Sequence, residues 1–193
     1  MHQYDLYLAS QSPRRRELLQ QVGVRFRSIE VDVDERRLPD ESPAEYVKRV
    51  ALLKATTAVQ QLNDAAMPVL GADTTVVLDG HCLGKPESRE AALQMLSALS
   101  GRQHEVMSAV ALANPLHSST CLNVSKVTFS NLSEHQKQKY CDSGEPFDKA
   151  GGYAIQGRAA SFISHLQGSY SGVMGLPLFE TVQLLKEFQI DID

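Results

Sequence analysis

YDLYLASQSPRRRELLQQVG, residues 4–23, decides the architecture. Residues 4–9 read as a strand rich in Tyr and Leu. Ser12-Pro13 then predicts a helix start, with Ser at the N-cap and Pro at the first helical position, and Gly23 stops that helix. A strand running through a tight turn into a helix is the opening of an α/β fold, and the chain keeps alternating from there. Residues 24–31 read as a strand. Ser42-Pro43-Ala44-Glu45 is a capping box that starts a long helix to about Leu62. Residues 68–78 form an apolar, β-branched strand that turns at Asp79-Gly80. Ser88 caps a helix through Leu99, two strands follow at 103–113 and 120–130, and Ser133 with Gln136 caps another helix. Pro177 opens a last helix to about Phe188. Hairpins among the crossovers predict a mixed sheet flanked by helices. With no linker, repeat or low-complexity tract, residues 1–193 read as one domain.

Composition narrows the function. At 193 residues, 42% hydrophobic and 22% charged, the chain has the material for a real core and is not disordered. Nineteen Lys and Arg against 23 Asp and Glu give a net charge of −4, which argues against a general nucleic-acid binder. Three scattered cysteines, Cys82, Cys121 and Cys141, form no CxxC pair and suit a reducing compartment. There is no basic leader, and no apolar run approaches the roughly 20 residues of a membrane helix, so a soluble cytoplasmic protein is expected.

Four places break the rule of apolar inside and polar outside. The first is Ser10-Gln11-Ser12-Pro13-Arg14-Arg15-Arg16. Arg14 and Arg15 precede Leu18 and Leu19 by four residues, so they continue the apolar stripe of their helix. Cations at a helix start oppose its dipole; a bound anion would reverse the sign, with Ser10 and Ser12 as added donors. The plain alternative is a solvated basic turn. The second is Lys54, on a stripe with Val47, Val50, Ala51, Ala58 and Leu62. Such a lysine either snorkels to water or reaches into a cleft. The third is Asp73, the one charged residue in its strand, which costs several kcal/mol to bury without a compensating cation. Gly71 and Ala72 beside it are expected to leave room for a ligand. The fourth is a glycine-flanked pair of segments, Leu83-Gly84-Lys85-Pro86 and Lys149 through Gly157, the latter containing Gln156. Asp32, Asp34 and Glu35 follow the second strand and with Asp73 could form a carboxylate site for Mg²⁺ or Mn²⁺. No His or Cys pair has zinc spacing.

LYLASQSPRRRELL, the DVDE segment, YVKRVALLKA, LGADTTV, LGKP, DKAGGYAIQG and GSYSGVMGLPL, in that order, resemble the Maf family of nucleotide pyrophosphatases over residues 6–180. The resemblance implies a Maf/inosine-triphosphatase-like α/β fold, a twisted mixed sheet with a cleft between two lobes, and a homodimer. It implies hydrolysis of a nucleoside triphosphate to monophosphate and pyrophosphate with a divalent metal cation, Mg²⁺ or Mn²⁺. It places catalytic and metal-holding carboxylates at Asp73 and Glu35, catalytic lysines at Lys54 and Lys85, and phosphate-binding arginines at Arg14 and Arg15, beside the donors Ser10 and Ser12 read from the helix start. Arg14, Thr74 and Gln156 resemble the specificity positions of the dTTP/UTP branch; the sister branch takes 7-methyl-GTP. The family's link with inhibition of septum formation implies a further alternative, a nucleotide-binding regulator of cell division without turnover.

Overall fold

The computed structural model describes residues 3–62 and 67–192. A seven-stranded sheet runs in the order β2-β1-β3-β5-β6-β7, with β4 paired to β3 outside that path. β1 (Leu6–Ala9), β2 (Phe26–Ser28) and β3 (Val69–Leu78) run parallel. β4 (His81–Leu83), β5 (Gln103–Ala113), β6 (Ser118–Phe129) and β7 (Ile163–Gln167) add antiparallel pairs, so the sheet is mixed. The helices are α1 (Pro13–Gln21), α2 (Pro43–Gln61), α3 (Arg89–Leu99), α4 (Glu134–Cys141), α5 (Tyr170–Met174) and α6 (Leu178–Glu187).

Most starts follow the residues that predict them. Ser42 and Ser133 each make a full capping box, with Glu45 and Gln136 as the reciprocal partners, and Ser88 accepts from the Ala91 N–H. Ser12 occupies the N-cap of α1, but its side chain makes no capping bond; its own N–H donates to Ser10 Oγ at 3.2 Å. The strand expected over 24–31 shrinks to Phe26–Ser28. Among the described residues its partner is β1, which offers three paired positions, and Arg25 and Arg27 face water. β7 and α5 had no clear sequence signal: β7 is half polar, and α5 is a single Gly-containing turn.

Three apolar layers organise the helices. On one face of the sheet α2 lays Val47, Ala51 and Ala55 against Ala109, Ala111 and Ala113 of β5. The opposite face is divided. At one end, Leu18 and Leu19 of α1 and Leu184 and Leu185 of α6 cover Leu70, Ala72, Val110 and Leu112. At the other, Leu96 and Leu99 of α3 and Tyr140 of α4 pack with Val76, Val106 and Phe129. The space between these two clusters is the cleft.

One glycine sets the depth of α2. A Cβ at Gly71 would lie 2.3 Å from the Ala51 carbonyl oxygen and 2.7 Å from the Ala55 nitrogen. The expectation that Gly71 and Ala72 clear room for a ligand is therefore corrected. Gly71 clears room for the helix backbone, and Ala72 packs into the α1–α6 cluster. Gly71→Ala should push α2 off β3 and cost on the order of 1–3 kcal/mol in urea denaturation, with activity falling because α2 carries Lys54.

Candidate active site

The site exists because β3 changes neighbours along one edge. β1 pairs with β3 only through Gly71, then leaves at Ser10 to start α1; β4 begins pairing at Val76. Residues 72–75 therefore have no strand on that edge. Side chains from both faces of β3 reach the same opening, Asp73 and Thr75 from the α2 side and Thr74 from the other. A cleft of about 1150 Å³ opens there. Its lining includes Ser10, Ser12, Arg14, Arg15, Glu35, Lys54, Asp73, Thr74, Lys85 and Gln156, so these residues meet in one place, whereas Asp32 and Asp34 do not join them.

The floor is an ion triad. Lys54 Nζ lies 2.9 Å from Asp73 Oδ1 and 2.9 Å from Glu35 Oε1. Asp73 and Lys54 are buried, at 6% and 9% exposure, whereas half of the Glu35 side chain faces solvent. The geometry follows from two periodicities. Asp73 lies two residues beyond Gly71 on the same strand face, and Lys54 lies three beyond Ala51 on the same helix face. The helix approach that Gly71 permits thus brings the ammonium onto the carboxylate. Lys54 does not snorkel; its amine is enclosed among carboxylates. Glu35 arrives from the loop between β2 and α2. Arg49 of α2 anchors that loop, bonding Glu41 Oε1 at 2.6 Å and the Arg36 carbonyl at 2.9 Å. Asp34 is not part of the triad: Arg36 holds it at 2.7 Å in the solvent and keeps its carboxyl well below the usual range. Asp32 is exposed. Nearby Tyr46 registers the environment, its hydroxyl pushed up to about 12 by burial and then by the charges of Asp73 and Glu35.

The other side of the opening is a hydrogen-bond network. Arg15 donates from Nε to the Gly175 carbonyl at 2.8 Å, from Nη1 to Ser10 Oγ at 3.3 Å and from Nη2 to Thr74 Oγ1 at 3.4 Å. Burial pulls this guanidinium below its ordinary pKa while the charge of Asp73 works the other way. Thr74 Oγ1 pairs with Ser108 Oγ at 2.8 Å, and Ser108 donates to the Gly172 carbonyl at 2.6 Å. Arg15 therefore ties the turn between β1 and α1 to β3 and to the C-terminal end of α5. Arg14 is the freer cation, 3.5 Å from Asp148 Oδ2 across the cleft. Lys85 and Gln156 project exposed from the two glycine-flanked segments, which are joined by the Gly151 N–H to the Gly84 carbonyl at 2.9 Å.

Sequence reasoning missed Tyr46, Ser108, Asp148 and the Gly172 and Gly175 carbonyls. Ser108 carried a readable signal: it is the one polar residue in the run from Val106 to Ala113, the same anomaly that marks Asp73. The carbonyls carried none, because backbone acceptors have no letter in a sequence.

Comparison with known proteins assigns the chain to a family. A protein of Alkalilimnicola ehrlichii named dTTP/UTP pyrophosphatase is 54% identical over 190 residues, covering 96% of this chain and 94% of its own. A Xylella fastidiosa protein named nucleoside triphosphate pyrophosphatase is 53% identical over 186 residues, covering 95% and 98%. Among solved structures, the Ham1 protein of Staphylococcus aureus superposes with a TM-score of 0.55 at 15% identity, covering 95% of this chain and 98% of that one, which is a likeness of fold alone. The family described as Maf-like protein matches residues 5–188, and with relatives this similar along nearly the whole length, the chain belongs to the Maf family.

Proposed function

We propose that this protein is a nucleoside triphosphate pyrophosphatase that cleaves dTTP and UTP to the monophosphate and pyrophosphate. The observation that carries the reading is the triad: a buried ammonium shared by two carboxylates at the floor of a cleft rimmed by Arg14 and Lys85. The names of relatives about half identical over nearly the full chain support the same activity and base choice.

In this reading Asp73 takes a proton from a water that attacks the α-phosphorus, and the bond to the pyrophosphate oxygen breaks as the new one forms. Lys54 holds Asp73 in place. Arg14, Lys85, Ser10 and Ser12 bind the phosphates, and the two cations stabilise charge building on the departing pyrophosphate. Asp73 and Glu35 would hold a divalent cation, Mg²⁺ or Mn²⁺, jointly with phosphate oxygens. The donor set fits that role, since hard carboxylate oxygens completed by substrate phosphates suit Mg²⁺, and the shared ammonium marks the spot as one that takes positive charge. Among the described residues no three His, Cys, Asp or Glu side chains converge, so an all-protein cage of the zinc kind is not offered. The metal would neutralise the phosphates and polarise the reacting centre. On the base side, the Gln156 amide offers the donor and acceptor that a uracil or thymine edge needs, with Arg14 and Thr74 completing the specificity set. The Maf resemblance supports a homodimer. The net charge of −4 supports a role without nucleic acid, and a cytoplasmic place fits the thiols and the absence, among the described residues, of any helix long and apolar enough to cross a membrane.

A triphosphate panel tests the reading directly. Pyrophosphate release should be fastest with dTTP and UTP and should collapse when EDTA removes divalent cations; equal turnover of GTP and UTP, or a preference for 7-methyl-GTP, would overturn the base assignment. Gln156→Glu should lower kcat/KM for UTP by about tenfold or more, since a donor becomes a repelling carboxylate, while the melting temperature barely moves.

Asp73→Asn should remove about a thousandfold or more of kcat. Lys54 keeps Glu35 as a partner in that variant, so calorimetry should find the fold intact. Lys54→Met should be worse for stability, because it strands a buried carboxylate beside a second one. Its kcat/KM should fall by the equivalent of about 2–4 kcal/mol, and an unchanged value would remove Lys54 from the mechanism.

A further inference from the structure

Gln156 makes no side-chain hydrogen bond to protein among the described residues and is exposed, so the backbone of its own segment decides where its amide points. Within that segment Tyr153 reaches the sheet by a side-chain hydrogen bond. Tyr153, 5% exposed, places its hydroxyl 2.7 Å from Nε2 of His104, 2% exposed on β5. His104 shares its sheet face with Val106 and Ser108, the face that looks into the cleft between the two clusters. Both rings pack edge-on against Phe129, at 5.2 and 4.9 Å between centroids. The rest of the lobe could fill this place with an apolar ring. Instead a titratable one sits there at a cost: its Nδ1 is buried without a protein partner among the described residues.

We propose that His104 is a positioning residue for the base side of the cleft, holding Tyr153, and through it residues 153–156 with Gln156, in the place a nucleotide base requires. The inference rests on the reading of the cleft as a nucleotide site. Burial keeps the imidazole neutral, with its pKa down at about 4, and pushes the Tyr153 phenol far above its ordinary value, so neither partner loses the bond across the neutral pH range. The same anchor reaches the phosphate side. Gly151, two residues before Tyr153, has φ +67° and packs on Val76 so closely that a Cβ would lie 2.8 Å from Cγ2. Its N–H holds the Gly84 carbonyl, next to Lys85. The buried bond and the Gly151–Gly84 bond thus hold one roof, which carries Gln156 on the base side and abuts Lys85 on the phosphate side.

The test compares wild type with His104→Phe, Tyr153→Phe and His104→Gln, using whichever triphosphate the wild type cleaves fastest. Inorganic triphosphate serves as a base-free competitive inhibitor. His104→Phe and Tyr153→Phe should raise KM for the nucleotide by about tenfold, more than they change kcat, while the inhibition constant of inorganic triphosphate stays within about twofold. His104→Gln, which keeps a polar partner for the hydroxyl, should lose less than His104→Phe. The double Phe variant should be no worse than either single one, because both remove the same bond. Nucleotide KM unchanged in both Phe variants, or nucleotide and inorganic triphosphate weakened in parallel, would overturn the proposal. Tyr153→Phe removes a single oxygen and carries the test if His104→Phe fails to fold. A wild type without pyrimidine preference would overturn the base assignment and leave this comparison standing.

Discussion

Everything in the cleft depends on β3 losing one neighbour before it gains the next. A continuous partner along that edge would have buried the backbone of residues 72–75 in sheet hydrogen bonds and closed the space beside them. Because β1 ends at Ala9 and β4 starts only opposite Val76, the middle of a buried strand is open to ligand from the side. Adjacent residues on a strand point to opposite faces, so this opening receives a carboxylate from one face and a hydroxyl from the other. Asp73 meets the ion triad with Lys54 and Glu35; Thr74 meets Arg15 and Ser108.

The two buried charges of the site are compensated before a ligand arrives. An isolated Asp73 in an apolar strand would be expensive to bury, and so would an isolated Lys54 on the helix stripe opposite. Each is the other's remedy, and Glu35 adds a second carboxylate at the solvent edge, leaving the triad one positive charge short. This also explains why neither residue reads correctly alone. On its own helix Lys54 looks like a snorkelling lysine, and on its own strand Asp73 looks like an isolated charge. The two anomalies resolve together only when Gly71 lets helix and strand approach.

The elements were legible where chemistry is local. Capping boxes at Ser42 and Ser133, the Asp79-Gly80 turn and the long apolar strands follow from short-range rules, and the structure has them. What could not be read was anything set by a distant partner. The second strand is short because β1 is short. Ser12 loses its capping bond, Ser10 Oγ instead accepting its N–H and the Arg15 guanidinium. Gly71 serves the helix instead of a ligand. In the site, residue types were readable and their division of labour was not: nothing in the string Arg14-Arg15 says that one braces the turn while the other faces the cleft.

The opening in β3 also has a bearing on solubility. An unpaired strand edge is a template on which another chain can add, and proteins usually blunt such edges with charge, proline or cover. Here the exposed stretch is bounded at Gly71 by β1 and at Val76 by β4, leaving residues 72–75 and no more. That is shorter than the five or six residues of an average strand, and a charged Asp73 stands in it. The same boundaries that admit a small ligand therefore refuse a peptide, and an active site cut into the middle of a sheet does not become a seed for aggregation.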